Sequence, residues 1–360
     1  NINSGDNSVD TTGSQSYTGA VVLGQNTSLN GSDVTFGGTL NSSNTAGTSD
    51  YRTLSINGNG IFNGIVGATY ALGSLDVSGT TAINSASIRT KDNQTYNGAI
   101  TLGTNTTLST TNNGVIWFKD SLNSTTSARN LTISNGSGNV IFDGITGSVL
   151  ALGTVGITGN NVTINKAFNS GAMSVTNSGL FTTSSEGDIN ASAGFTQNGV
   201  GTNSLAGDIT TVNNNISFAK AVVLTDDVVM STGSGAGNIS FAQTIDGTTP
   251  STETLTLTAG TGNVVFTGLV GNTTELGDII INSATNVTTN GIKAASFEQK
   301  AGTGTTTVNL GTFSDVGQQS LYTSATKGID ITTSTISFTG AIQTVNNGNL
   351  RLKANNNLSL

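Results

Sequence analysis

The chain has no cysteine and no histidine, and Pro250 is its only proline. Without thiols there is no disulfide and no thiolate nucleophile; without imidazole the usual general base and most zinc sites are gone. The redox compartment stays open, because many secreted proteins also lack disulfides. Charge is scarce too: Asp, Glu, Lys and Arg make up 9% of 360 residues, against a usual quarter or so. Twelve scattered basic side chains stand against 20 acidic ones, a net charge of −8. Phosphates need a clustered basic face, so nucleic acid is not expected as a partner. No apolar run approaches the roughly 20 residues of a membrane helix. The opening NINSGDNS has no Met, charged n-region or apolar h-region, so the chain is read as a mature product or an excerpt. Calcium-binding nonapeptides, EF-hand loops and Gly-rich turns leading into helices are missing, so no metal or cofactor is expected.

Gly, Thr, Ser and Asn fill the space. Disorder pairs low hydrophobicity with high net charge, whereas here 34% of residues are apolar. They are mostly Leu or β-branched, and they alternate with polar residues in short runs such as LTISNG from Leu131 and IDITTSTISF from Ile329. Alternation of this kind marks half-buried strands. No apolar stripe of helical period survives without interruption by Gly. The chain is expected to be almost entirely β.

The strands come in repeats. VIFDGITGSVLALGTVGIT (residues 140–158) is echoed by IFNGIVGATYALGSLDVS (61–78) and VVFTGLVGNTTELGDIIIN (264–282). Phe62, Phe142 and Phe266 are each followed by Gly at +2 and +5, Leu at +10 and Gly at +11. A second phrase begins SYTGAVVL, TYNGAITL, SFAKAVVL and SFTGAIQT, with Ala20, Ala99, Ala221 and Ala341 separated by 79, 122 and 120 residues. A third, from Phe195, returns loosely from Phe297. Solenoids tolerate insertion by whole coils, since each coil touches only its neighbours. A coil of about 20 residues fits these separations as 4, 6 and 6 coils. A coil of about 24–26 fits the longer two as 5 and the shorter as 3, but makes the 43-residue difference between 122 and 79 an awkward fraction of a coil, so the shorter coil is preferred. In Val34-Thr-Phe36, Ile116-Trp-Phe118 and Ile239-Ser-Phe241 the outer pair points inward and the middle residue outward. Asn and Gly supply the turns between strands.

A string of immunoglobulin-like sandwiches would show modules of about 100 residues and linkers, neither of which is visible. The expected fold is therefore all-β: a right-handed parallel β-helix with coils of about 20 residues. Residues 1–360 are read as one continuous β-helix, a segment of a longer repeat protein, with about 18 coils along a rod on the order of 85 Å.

Some β-helices act on polysaccharides, which requires two carboxylates across a glycosidic bond. Asp226, Asp227, Glu253, Glu275 and Asp278 are the candidate acids, with Asp76 at a place comparable to Asp278; solvated turn acids are the plainer reading of all of them. No catalytic residue is assigned, and the chain is not expected to be an enzyme. Outward parity places Trp117, the only tryptophan, beside Lys119. The pair is a possible surface contact, able to stack on a sugar ring or seat a neighbouring rod; the alternative is an outward Trp covered by the segment SLNSTTSARN that follows. Runs such as TGTTTVN are too local for an ice-binding face. The Asn-X-Ser/Thr triplets are glycan acceptors only in a suitable secretory context.

With Gly-cornered β-coils, little charge, and phrases of the form NGNVxFxGxxGxxxxLG, the chain resembles filamentous-haemagglutinin-like bacterial adhesins exported by two-partner secretion, and similar autotransporter passengers. The resemblance implies an extracellular or cell-surface rod that mediates attachment, cell–cell contact and biofilm formation. It carries over no catalytic residues, and the family's Asn-Pro-rich export signature is not found here. Implied partners are other copies of the chain, joined end to end or side by side, or cell-surface glycans. The other expectation is a carbohydrate-binding or polysaccharide-degrading β-helix.

Overall fold

A computed structural model describes residues 7–43 and 51–360; residues 1–6, part of the stretch inspected for a leader, lie outside it. The described residues form strands and no helix. Most strands are three residues long, with an inward–outward–inward pattern such as Ile116–Phe118. Nearly all pair in parallel with a strand about 22 residues away, giving a parallel β-solenoid of about 16 turns. The coil is thus slightly longer, and the coils fewer, than the sequence led one to expect. The reason is that each coil has three sides, and three strands with their turns need about seven residues apiece.

Two compact units divide the chain, Asn1–Gly171 with Val175–Gly179 and Ala172–Ser174 with Leu180–Leu360. In the first, three inward ladders run from coil to coil. One contains Tyr17, Phe36, Phe62, Ile83 and Leu102. The second contains Leu29, Ile56, Val77, Tyr96, Phe118, Phe142 and Ile164. The third contains Ile88, Leu108, Ile133 and Ile157. In the second unit the corresponding ladders pass through Phe241, Leu224 and Leu257. Aromatic rings stack along them, Phe118 on Phe142 at 4.6 Å and Phe218 on Phe241 at 5.6 Å between centroids. Each such pair is worth about 0.5–1.5 kcal/mol beyond the area it buries.

The repeated phrases do not mark whole coils. Tyr17 and Tyr96 begin matching phrases but stand in different ladders. The 79 residues between the matching alanines make three coils and two further sides. Likewise Phe62 and Phe142 hold equivalent places in the longer repeat and lie on different sides of the first unit. In the second unit Phe218 and Phe338 do share a ladder, through Phe241, Phe266, Thr289 and Val308, so the last separation is five coils rather than six. The piece that was duplicated is a strand with its turn, and three sides that all ask for an apolar inward pair accept it equally.

The fixed glycines are explained by how closely the coils approach. Gly67, Gly147 and Gly271 have φ of +74°, +71° and +71°, and a Cβ on any of them would strike the carbonyl of Arg89, Asn169 or Lys293 in the next coil. The turn each one opens is held from one coil back. Asn41 Oδ1 accepts from Thr69 N (2.9 Å), Asn123 Oδ1 from Val149 N (2.9 Å) and Asp246 Oδ1 from Thr273 N (2.6 Å). Corners elsewhere carry asparagine ladders. Asn263 donates its backbone N–H and Nδ2 to Asn238 Oδ1 (2.8 and 3.0 Å), and Asn286 does the same to Asn263 (3.1 and 2.9 Å). A corner Asn, an inward apolar residue and an outward Ser or Thr spell Asn-X-Ser/Thr, as in Asn238-Ile-Ser240 and Asn286-Val-Thr288. Coil geometry alone therefore generates those triplets.

Candidate functional site

Trp117 lies in the strand Ile116–Phe118, whose outer residues are buried, so its indole points outward as parity requires. Thr95 and Ile141 are its neighbours in register. The indole Nε1 donates to Asp143 Oδ2 (2.6 Å) in the next coil. Lys119 Nζ sits 4.3 Å from the ring centroid and donates to Asn97 Oδ1 (2.8 Å) in the coil before. Asn97 Nδ2 in turn donates to Asp76 Oδ1 (2.8 Å), and Asn165 Nδ2 to Asp143 Oδ1 (2.7 Å). The two residues singled out from sequence thus belong to a polar strip that crosses five coils of one side. The segment after Trp117 turns onto another side, where Leu122–Ser124 pairs with Ile100–Leu102. A half-buried indole fixed at its N–H and against an ammonium is a rigid aromatic platform, and the cation–π contact adds about 0.5–1 kcal/mol at such a site.

The candidate acids are occupied by the fold. Glu253 is buried and accepts from the Thr248 hydroxyl and from Thr249 N (3.1 Å), closing its own loop. Burial pushes its carboxyl up, but these bonds outweigh it and hold the group below its ordinary range. Glu275 accepts from Ser251 Oγ (2.8 Å) and from the Ser324 hydroxyl. Asp227 Oδ1 accepts from Thr254 N (2.7 Å), and Asp226 Oδ1 from Asp227 N (2.9 Å). Asp278 accepts from Ser296 Oγ (2.6 Å) and pairs with Lys327 (2.9 Å). Burial raises its carboxyl, and the two hydrogen bonds with the Lys327 charge more than reverse the effect. A general acid for glycoside hydrolysis needs the opposite shift.

Sequence reading missed a charged side of the second unit. Glu298, Asp330 and Arg351 follow one another in register, outward from the Leu257 ladder. Lys327 pairs with both Asp278 and Glu298 (3.4 Å), and Arg351 with Asp330 (2.7 Å). Lys300 and Lys353 flank the same column. The available signal was bunching, since four of the chain's 12 basic residues fall between positions 300 and 353.

No family model, curated protein or solved structure matches this chain.

Proposed function

We propose that the chain is a structural and adhesive segment of an extracellular or cell-surface β-solenoid, which makes its contacts through outward side chains. One observation carries the reading: the side chains with the chemistry to catalyse are spent on joining coils or closing turns, as Glu253, Asp227 and Asp278 are. The inward positions and Gly corners are committed to coil geometry, which leaves recognition to the outward residues that differ between repeats. This is the arrangement the resemblance to bacterial adhesins implies. Attachment of the purified chain to cells, glycan arrays and abiotic surfaces, run beside a polysaccharide depolymerase screen, tests it. Saturable attachment without turnover is expected; turnover of any polysaccharide would overturn the structural reading in favour of a carbohydrate-active one.

The Trp117 platform favours glycan as one class of ligand. If it binds sugar, Trp117→Ala abolishes retention on the glycan that the unchanged chain holds, and Trp117→Phe keeps part of it.

A further inference from the structure

A cavity of about 320 Å³ in the first unit is lined by Val22, Asn41, Ser42, Ser43, Thr69 and Tyr70. Coil geometry explains its position. Val22 and Asn41 are outward neighbours in register, one coil apart, and Leu40 beside Asn41 pairs onward with Val66. In that next coil the chain leaves the sheet at Gly67, φ +74°, and residues 68–70 stand exposed in place of an outward side chain. This wall is braced by both adjoining coils. Asn41 Oδ1 accepts from Thr69 N and Tyr70 N (2.9 and 3.3 Å), and Ser42 N donates to Tyr70 O (3.2 Å). From the coil after, Arg89 Nη2 donates to Ala68 O and Thr69 O (3.3 and 3.2 Å). Half-buried Val22 is the floor, and Tyr70, 42% exposed, is the lip. Asn41 is 9% exposed, yet its Nδ2 has no partner among the described residues, nor have the hydroxyls of Ser43, Thr69 and Tyr70. The matching turns of the other two repeats lack this combination: Leu150 and Thr274 stand where Tyr70 does, beside Asn123 and Asp246.

We infer that this cavity is a binding site for one neutral pyranose ring. No lining residue is charged, so nothing in it would compensate a charge on the ligand. An apolar floor and an aromatic lip with a few polar groups are the usual make-up of small-ligand sites, and the volume lies at the lower end of their range of about 300–1,000 Å³. A pyranose matches both halves. Its C–H face packs on Tyr70 and Val22, and its hydroxyl edge meets Asn41 Nδ2 and the hydroxyls of Ser43 and Thr69. The buried amide sets the preference, because a ligand without an oxygen there leaves a desolvated donor unpaired. Main-chain hydrogen bonds fix the wall, so the site is formed before the ligand arrives. The inference stands on this cavity alone. Attachment through other outward residues, Trp117 among them, could hold without it, and the two readings fail separately.

Saturation-transfer NMR on the full chain tests the inference. The probes are the methyl glycosides of glucose, galactose, mannose and N-acetylglucosamine, with methyl glucuronide as the charged control. Two variants remove the site and keep a turn that the chain already builds elsewhere. Asn41→Asp keeps the acceptor for the backbone of residues 69 and 70, as Asp246 does for Thr273 N and Thr274 N, and removes the Nδ2 donor. Tyr70→Leu places at the lip the residue that the second repeat has at Leu150. Saturable binding of at least one neutral glycoside is expected, weakened about tenfold by each variant and unchanged by Trp117→Ala. In the unchanged chain with labelled tyrosine rings, the same glycoside should shift the Tyr70 resonance, a reading that does not depend on any variant folding. Failure of every neutral glycoside to bind, preference for the glucuronide over the glucoside, an unshifted Tyr70, or binding that survives either site variant would each overturn the inference.

Discussion

Residue by residue, the same amino acid does different work according to which wall of the coil it faces. Gly147 sits at φ +71° with a neighbouring carbonyl where a Cβ would go, whereas Gly156 is in open space on an outward strand position. Gly147→Ala should therefore cost on the order of 1–3 kcal/mol in chemical denaturation. Gly156→Ala should be neutral or stabilise by up to about 1 kcal/mol. Equal effects at the two positions would refute the coil-contact explanation of the repeated glycines. The carboxylates likewise titrate in opposite senses. The buried Lys293 ammonium donates to Asp315 (2.7 Å) and holds that carboxyl below its ordinary range. Its contribution is present above the ordinary carboxylate pKa and is lost as pH falls through the lowered one. Asp208 is raised by burial and by the charges of Asp188 and Asp226, so its contribution is full below the ordinary pKa and is lost as pH rises through the folded value. Asp208→Asn keeps the acceptor for Val229 N and removes the repulsion. It should stabilise the chain at pH 7 by roughly 0.2–1 kcal/mol, and that gain should vanish in acid. Denaturation followed across pH checks both signs.

At the scale of the element, the working unit is a three-residue strand with its turn, and neither half is stable by itself. The strand is held by the ring or aliphatic side chain above and below. Phe241 lies between Phe218 and Phe266, with centroids at 5.6 and 5.4 Å. Phe241→Ala should cost about 3–5 kcal/mol, and a volume-conserving change to Leu much less. The turn is held by the corner amides. Asn263→Ala would leave Asn286 N without its acceptor and should cost about 1–3 kcal/mol. Hydrogen exchange read by mass spectrometry should place the loss of protection for both variants in the adjoining coils, as expected where each coil contacts only its neighbours. Uniform loss over the whole second unit would contradict that.

For the whole molecule, the alternation of inward and outward residues made the β-solenoid legible, and parity put Trp117 on the outside correctly. Its partner Asp143 was not legible, because the contact spans 26 residues and needs the true coil length. The coil length itself was blurred by the repeats: a duplicated strand–turn piece changes side from copy to copy, as Phe62 and Phe142 show, so phrase spacing need not be a whole number of coils. The charged side was hidden for the same reason. Lys300, Asp330 and Arg351 come together only once three separate coils are stacked in register.

The whole fold rests on that register, and a chain without cysteine offers a clean background for testing it. Ser217 and Ser240 are outward and paired in register, one coil apart; strands in this arrangement lie about 4.8 Å apart, within the reach of a disulfide. Thr256 belongs to another side of the second unit. Oxidation of Ser217→Cys/Ser240→Cys should give a rapid intramolecular crosslink, detected as a mass loss of two hydrogens and a bridged peptide. Ser217→Cys/Thr256→Cys should give none. Failure of the first pair to crosslink, or equal reaction of the second, would contradict the three-sided coil of about 22 residues.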